Sequence, residues 1–188
     1  MVRSIYPLFA VALMAAAPAL AGEVVPVPYF NAVGLRGGGD VVIVPGPVER
    51  VTILEGSSRF TRIYVEHQGS LRIDACDGPC PPFYRLRIEI ESPRVPVLAV
   101  DGGGTMSVAP GFAPERHLVA AVNGGGRIDT RAVATADVTA AVNGGGELLV
   151  GAASSLTGAV RGGGDIRYLG NPVVTSAIEG GGSIRPGY

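Results

Sequence analysis

Ala121-Val122-Asn123-Gly124-Gly125-Gly126-Arg127-Ile128 decides the fold, because the chain repeats its plan as Ala141-Val142-Asn143-Gly144-Gly145-Gly146-Glu147-Leu148. The same plan occurs around Gly102, Gly162 and Gly180, so the five triplets begin at steps of 22, 20, 18 and 18 residues. Two residues before the glycines stands Val100, Val122, Val142, Val160 or Ile178. Four before stands Leu98, Ala120, Ala140, Gly158 or Ser176, and six before stands Pro96, Leu118, Val138, Leu156 or Val174. Two residues after the glycines stands Met106, Ile128, Leu148, Ile166 or Ile184. Alternation of this kind puts small and apolar side chains on one face of a strand. Each repeat therefore predicts one strand entering the triplet and one leaving it.

The earlier triplet Gly37-Gly38-Gly39 fits the same frame, with Leu35 and Val41 inward and Arg36 and Asp40 outward. It is expected in the same stack despite its distance from Gly102 along the chain. Between these two triplets, Val48–Leu54, Phe60–Glu66, Leu71–Asp74 and Phe83–Ile90 alternate with period two and are separated by turn residues. No 3.6-residue period follows residue 21.

A repeat this short cannot bury its own apolar face, so neighbouring repeats must stack. The leucine-and-asparagine signature of leucine-rich repeats is missing. The expected fold is all-β: a right-handed parallel β-helix with coils of about 18–22 residues. The triplets would form one corner, where glycine can take a positive φ without a Cβ clash. All three glycines are expected to pack against the coils above and below. On that view Gly125→Val or Gly145→Val destabilises the whole domain, whereas Asn123→Ala barely affects folding.

The chain starts with one positive charge, Arg3, an apolar run to Leu20, and small residues at Ala19 and Ala21. This reads as a signal peptide over residues 1–21, cut after Ala21. Residues 22–188 then form one domain, with an irregular β part at 29–94 and the triplet array at 95–188. No later segment is apolar enough to span a membrane. Export to the periplasm, the cell surface or the medium is expected. In that setting Cys76 and Cys80 form a disulfide at a loop tip. The small loop it closes limits its entropic contribution to about 2 kcal/mol.

These segments resemble the auto-transporter adhesin head, or GIN, domain family (DUF2807). The residues carrying the resemblance are Phe30-Asn31-Ala32-Val33, Gly37-Gly38-Gly39-Asp40-Val41-Val42-Ile43, Glu49-Arg50-Val51-Thr52-Ile53, Gly69-Ser70-Leu71-Arg72-Ile73, Ser92-Pro93 and the repeats through Ile184. Family members usually show Gly-Ser-Gly-Asp at the triplet; here the middle residue is always Gly, and Asp follows only as Asp40 and Asp165. The resemblance implies an exported bacterial β-helix protein and brings no catalytic residues.

The composition narrows the chemistry. All 15 basic residues are Arg, they are mixed with 16 acidic ones, and Trp is absent. No polyanion-binding face or base-stacking platform is implied, so nucleic acid is not an expected partner. Gly-Gly-Gly-Asp is half of a calcium-binding nonapeptide turn, but no glycine-rich segment falls at the half period. No metal, cofactor or catalytic residue is expected. His67 and His117 read as surface histidines.

The candidate binding residues are the outward positions beside the triplets: Asp101, Asn123, Asn143 and Arg161 before them, and Arg127, Glu147 and Asp165 after them. The expected function is a non-enzymatic cell-envelope module presenting polar ladders to an envelope glycan or another envelope protein. The alternative is a carbohydrate-active enzyme, a polysaccharide lyase or hydrolase. It requires Asp101, Glu147 or Asp165 to line one groove within reach of one another. The tail Arg185–Tyr188 scarcely caps the last coil, which leaves a strand edge on which another protein could dock.

Overall fold

A computed structural model describes residues 22–66 and 68–187. The expected signal peptide, His67 and Tyr188 lie outside the described residues. The described chain is all-β, with no helix among these residues. Its strands form two mixed sheets, neither of which closes on itself.

In the second half of the chain, successive strands alternate between the sheets. One sheet receives β8 (Val97–Gly102), β10 (Glu115–Gly124), β12 (Thr135–Gly144), β14 (Ser155–Gly162) and β16 (Val173–Glu179). The other receives β9 (Thr105–Val108), β11 (Arg127–Asp129), β13 (Glu147–Gly151), β15 (Asp165–Leu169) and β17 (Ser183–Pro186). Neighbours pair parallel and in register, so Val100, Val122, Val142, Val160 and Ile178 form one row. Met106, Ile128, Leu148, Ile166 and Ile184 form a second row, on the opposite sheet. Apart from Ile178 and Ile184 in the last repeat, these residues are fully buried. This burial of strictly alternating apolar positions is what holds the two sheets together.

The first triplet joins the stack. β2 (Ala32–Gly37) pairs with β8, setting Gly37 beside Gly102, and β3 (Asp40–Pro45) pairs with β9. On their other sides lie β6 (Ser70–Asp74) and β7 (Arg87–Ser92). The segment between β6 and β7 replaces a glycine corner. It carries the Cys76–Cys80 disulfide, whose Cα atoms are 6.0 Å apart.

The N-terminal part corrects the expectation of parallel coils throughout. β5 (Arg62–Glu66) runs antiparallel to β6. β4 (Arg50–Glu55) runs antiparallel to β7, and β1 (Glu23–Val25) antiparallel to β4. The chain reverses direction between β3 and β4, just after Pro45-Gly46-Pro47 begins the connection, and again between β5 and β6, where the Gly69 amide donates to the Glu66 carbonyl; strands joined by such short connections run antiparallel.

The glycines of a triplet have different duties. The first always has a positive φ, from 92° at Gly37 to 119° at Gly144. A Cβ on Gly124 would also stand 2.8 Å from the Gly102 carbonyl oxygen. The third is pressed against the preceding repeat: a Cβ on Gly126 would stand 2.5 Å from Val100 Cγ1 and 2.7 Å from the Gly104 oxygen. The middle glycine is open. A Cβ on Gly38, Gly103, Gly125, Gly145, Gly163 or Gly181 meets nothing within 4 Å, and none of these residues has a positive φ. The expected damage from substituting Gly125 or Gly145 is therefore reassigned to their neighbours on either side.

Candidate functional site

The strands entering and leaving the triplets carry their outward side chains in two rows, one on each side of the corner. Parallel in-register pairing stacks equivalent residues at about 4.8 Å. On the entering side Asp101, Asn123, Asn143, Arg161 and Glu179 are register neighbours. Asn123 Nδ2 donates to Asp101 Oδ1 at 2.8 Å, and Asn143 Nδ2 donates to Asn123 Oδ1 at 2.9 Å. Arg161 Nε donates to Glu179 Oε2 at 3.1 Å. Asn123, Asn143 and Arg161 are exposed, so these bonds leave other donors and acceptors facing solvent.

On the leaving side Thr105, Arg127, Glu147, Asp165 and Ser183 are register neighbours. Arg127 donates to Glu147, and the Ser183 hydroxyl donates to Asp165. Arg167 Nε lies 3.3 Å from Glu147 Oε1, close enough for an ion pair but not aligned for a hydrogen bond. Arg185 Nη2 lies 3.7 Å from Asp165 Oδ2. Glu147 and Asp165 are like-charged register neighbours, and each is answered by arginine: Glu147 by Arg127 and Arg167, Asp165 by Arg185. The residue types that suggested a binding surface also stabilise the stack, each exposed pair by about 0.2–1 kcal/mol.

The structure thus gathers Asp101, Asn123, Asn143 and Arg161 into one row and Arg127, Glu147 and Asp165 into the other. It does not bring the three carboxylates Asp101, Glu147 and Asp165 into one groove. Asp101 belongs to one sheet and the other two to the opposite sheet. None of the three lines any of four surface cavities found between the elements. Among the described residues no group of His, Cys, Asp and Glu is arranged to hold a metal ion. His117 is exposed, with Nδ1 3.7 Å from Asp137 Oδ2.

Two features of the surface carry no signal in the sequence. One is a shallow apolar groove of about 620 Å³ along the loops β11–β12, β13–β14 and β15–β16, lined by Val133, Ala134, Ala152 and Leu169. At its rim Glu115 is buried; it accepts from Arg94 Nη2 at 3.0 Å and from the Val95 amide at 3.2 Å. Small residues without a fixed spacing gave no signal for this groove. The other is Phe83, 97% exposed with φ of 61° beside the disulfide loop. The sequence placed it at the start of a strand, but β7 starts only at Arg87.

Comparison with known proteins agrees with the resemblance. Residues 86–172 match the family model DUF2807, described as "Putative auto-transporter adhesin, head GIN domain". Among solved structures, a putative adhesin from Bacteroides fragilis NCTC 9343 is 18% identical with a TM-score of 0.50, covering 90% of this chain and 98% of its own. A putative adhesin from Parabacteroides merdae ATCC 43184 is 13% identical with a TM-score of 0.40, covering 88% and 95%. A structure described as a putative lipid binding protein, from Parabacteroides distasonis ATCC 8503, is 16% identical with a TM-score of 0.36, covering 88% and 96%. At 18% identity the likeness to the Bacteroides fragilis structure concerns the fold alone. No curated protein matches the chain.

Proposed function

We propose that this chain is an exported, non-enzymatic binding module of the cell envelope, adhesin-like in use, that presents polar ladders to an envelope glycan. Its winding is read as a right-handed parallel β-helix over the triplet array, in keeping with the handedness of parallel crossover connections. The observation that carries the proposal is the Asp101–Asn123–Asn143 row, in which exposed amides are locked to one another at the strand repeat. A polymer of regularly spaced hydroxyls can engage such a row at several positions. Ordering costs little, because the protein groups are already fixed. Export rests on the sequence of residues 1–21 and agrees with the disulfide. The match to an adhesin family supports binding rather than catalysis as the use of the surface.

The test is retention of purified envelope glycans on immobilised protein, compared with an Asn123→Ala/Asn143→Ala variant that keeps the wild-type circular dichroism spectrum. Retention that the double substitution weakens supports the proposal. Failure to retain any fraction, or retention indifferent to both residues, sinks it.

A further inference from the structure

The two ends of the stack differ in how well their outermost strands are covered. At the N-terminal end the outermost strands are antiparallel, β5 on one sheet and β1 beside β4 on the other, and their Ile63, Val65 and Val25 are half-buried against the core. At the opposite end both sheets stop on a parallel strand, β16 and β17, and among the described residues no strand lies beyond them. Every residue of β16 is exposed. Val174 and Ile178 are 37% and 45% exposed, whereas their register neighbours Leu156 and Val160 are fully buried. The last repeat has core-type residues and two open edges of backbone donors and acceptors, a surface that proteins ordinarily cover.

We propose that a second copy of this chain covers this end, edge to edge about a two-fold axis perpendicular to both sheets. Such an axis reverses strand direction, keeps each sheet over its own counterpart and leaves inward faces inward. Each edge then meets its own copy antiparallel, as a self-complementary interface requires. The residue pattern of β16 fits this symmetry. Antiparallel pairing centred on Ser176 sets Val174 against the partner's Ile178 and Thr175 against the partner's Ala177, so the apolar row continues through the seam. Ser176 falls on the axis, where two hydroxyls can bond each other.

β17 can share the same axis. Ile184 Cδ1 lies 2.7 Å from where a Cβ on Gly158 would stand, and Gly158 is the register neighbour of Ser176. Ile184 and Ser176 are therefore level across the interior. Pairing centred on Ile184 sets it against the partner's Ile184, and sets Arg185 against the partner's Ser183. Glu179 faces the partner's Val173, so no like charges meet directly in either sheet. Bringing the two ends together also joins the outer faces of the paired sheets into one longer surface. This proposal does not depend on the glycan assignment.

The test measures the mass of the purified chain in solution by light scattering and sedimentation, up to millimolar concentration. It is paired with non-reducing electrophoresis of Ser176→Cys and with the mass of Val174→Lys. The expected results are a dimer for the wild type, a disulfide joining the two copies of Ser176→Cys through the introduced thiols, and a folded monomer for Val174→Lys. Should Val174→Lys fail to fold, the cross-link alone decides, since Ser176 is exposed in the single chain and a thiol of similar size fits there. A monomer at every concentration overturns the proposal. So does a dimer whose Ser176→Cys variant does not cross-link.

Discussion

Asn143 donates its side-chain amide to the Asn123 carbonyl oxygen 2.9 Å away, one strand further along the stack. Asn123 in turn donates to Asp101, so Asn123 is the shared member of two bonds. Both bonds lie on the exposed side of the sheet, where water can replace either partner. Asn123→Ala should therefore cost about 1 kcal/mol or less, since a net hydrogen bond is worth about 0.5–1.5 kcal/mol and an exposed one sits at the low end. Denaturant unfolding of the wild type and the variant measures this. A loss several times larger would mean that the row is part of the folding core rather than a presented surface.

Glu147 answers two cations, Arg127 and Arg167, and its side chain is only 24% exposed. Removing it takes away the carboxylate shared by Arg127 and Arg167, whose Nε already lacks a hydrogen bond. Glu147→Ala should destabilise by about 1–2 kcal/mol, more than Asn123→Ala but limited by solvent screening of the two pairs. Most of that loss should disappear at high salt. Unfolding midpoints at low and high ionic strength check both statements.

Asp129 supplies a pH dependence. Partial burial, the largest single influence, pushes its carboxyl upward. Hydrogen bonds from the Arg131 side chain and backbone, with attraction to Arg131 and Arg127, outweigh it and hold the group below its ordinary value. A carboxyl depressed in the folded state stabilises the fold above its unfolded value of about 3.9, and the contribution is lost as pH falls through the folded value. Stability of the wild type should thus decline below about pH 4. Asp129→Asn should flatten part of that decline and lower stability at neutral pH. Identical acid slopes for the two proteins would contradict this.

Much of the architecture was legible because two signals coincide. Period-two alternation marked Val100, Val122, Val142 and Val160 as inward, and the glycines fixed where each strand ends. Together they placed even Leu35 and Val41 in the stack. The edge strand β1 was not legible, since three residues ended by Pro26 carry no period. The exposure of Val174 and Ile178 was hidden for a different reason. Their pattern is that of any other repeat, and only the lack of a neighbour beyond them, among the described residues, leaves them uncovered. The candidate rows were legible as positions, but their bonding was not, because it depends on which residue falls beside which in register.

The identity of the constrained glycines was the least legible feature, as three identical letters conceal three environments. The first and third glycines shape the corner, and the middle one leaves it open. Equilibrium unfolding of Gly124→Ala and Gly125→Ala, side by side, tests this most directly. Gly124→Ala should lose about 1–3 kcal/mol or more, because a non-glycine residue is forced to φ of 115° with its Cβ 2.8 Å from the Gly102 oxygen. Gly125→Ala should match the wild type, or gain a few tenths of a kcal/mol from a stiffer unfolded chain. Equal losses in the two variants would contradict the account.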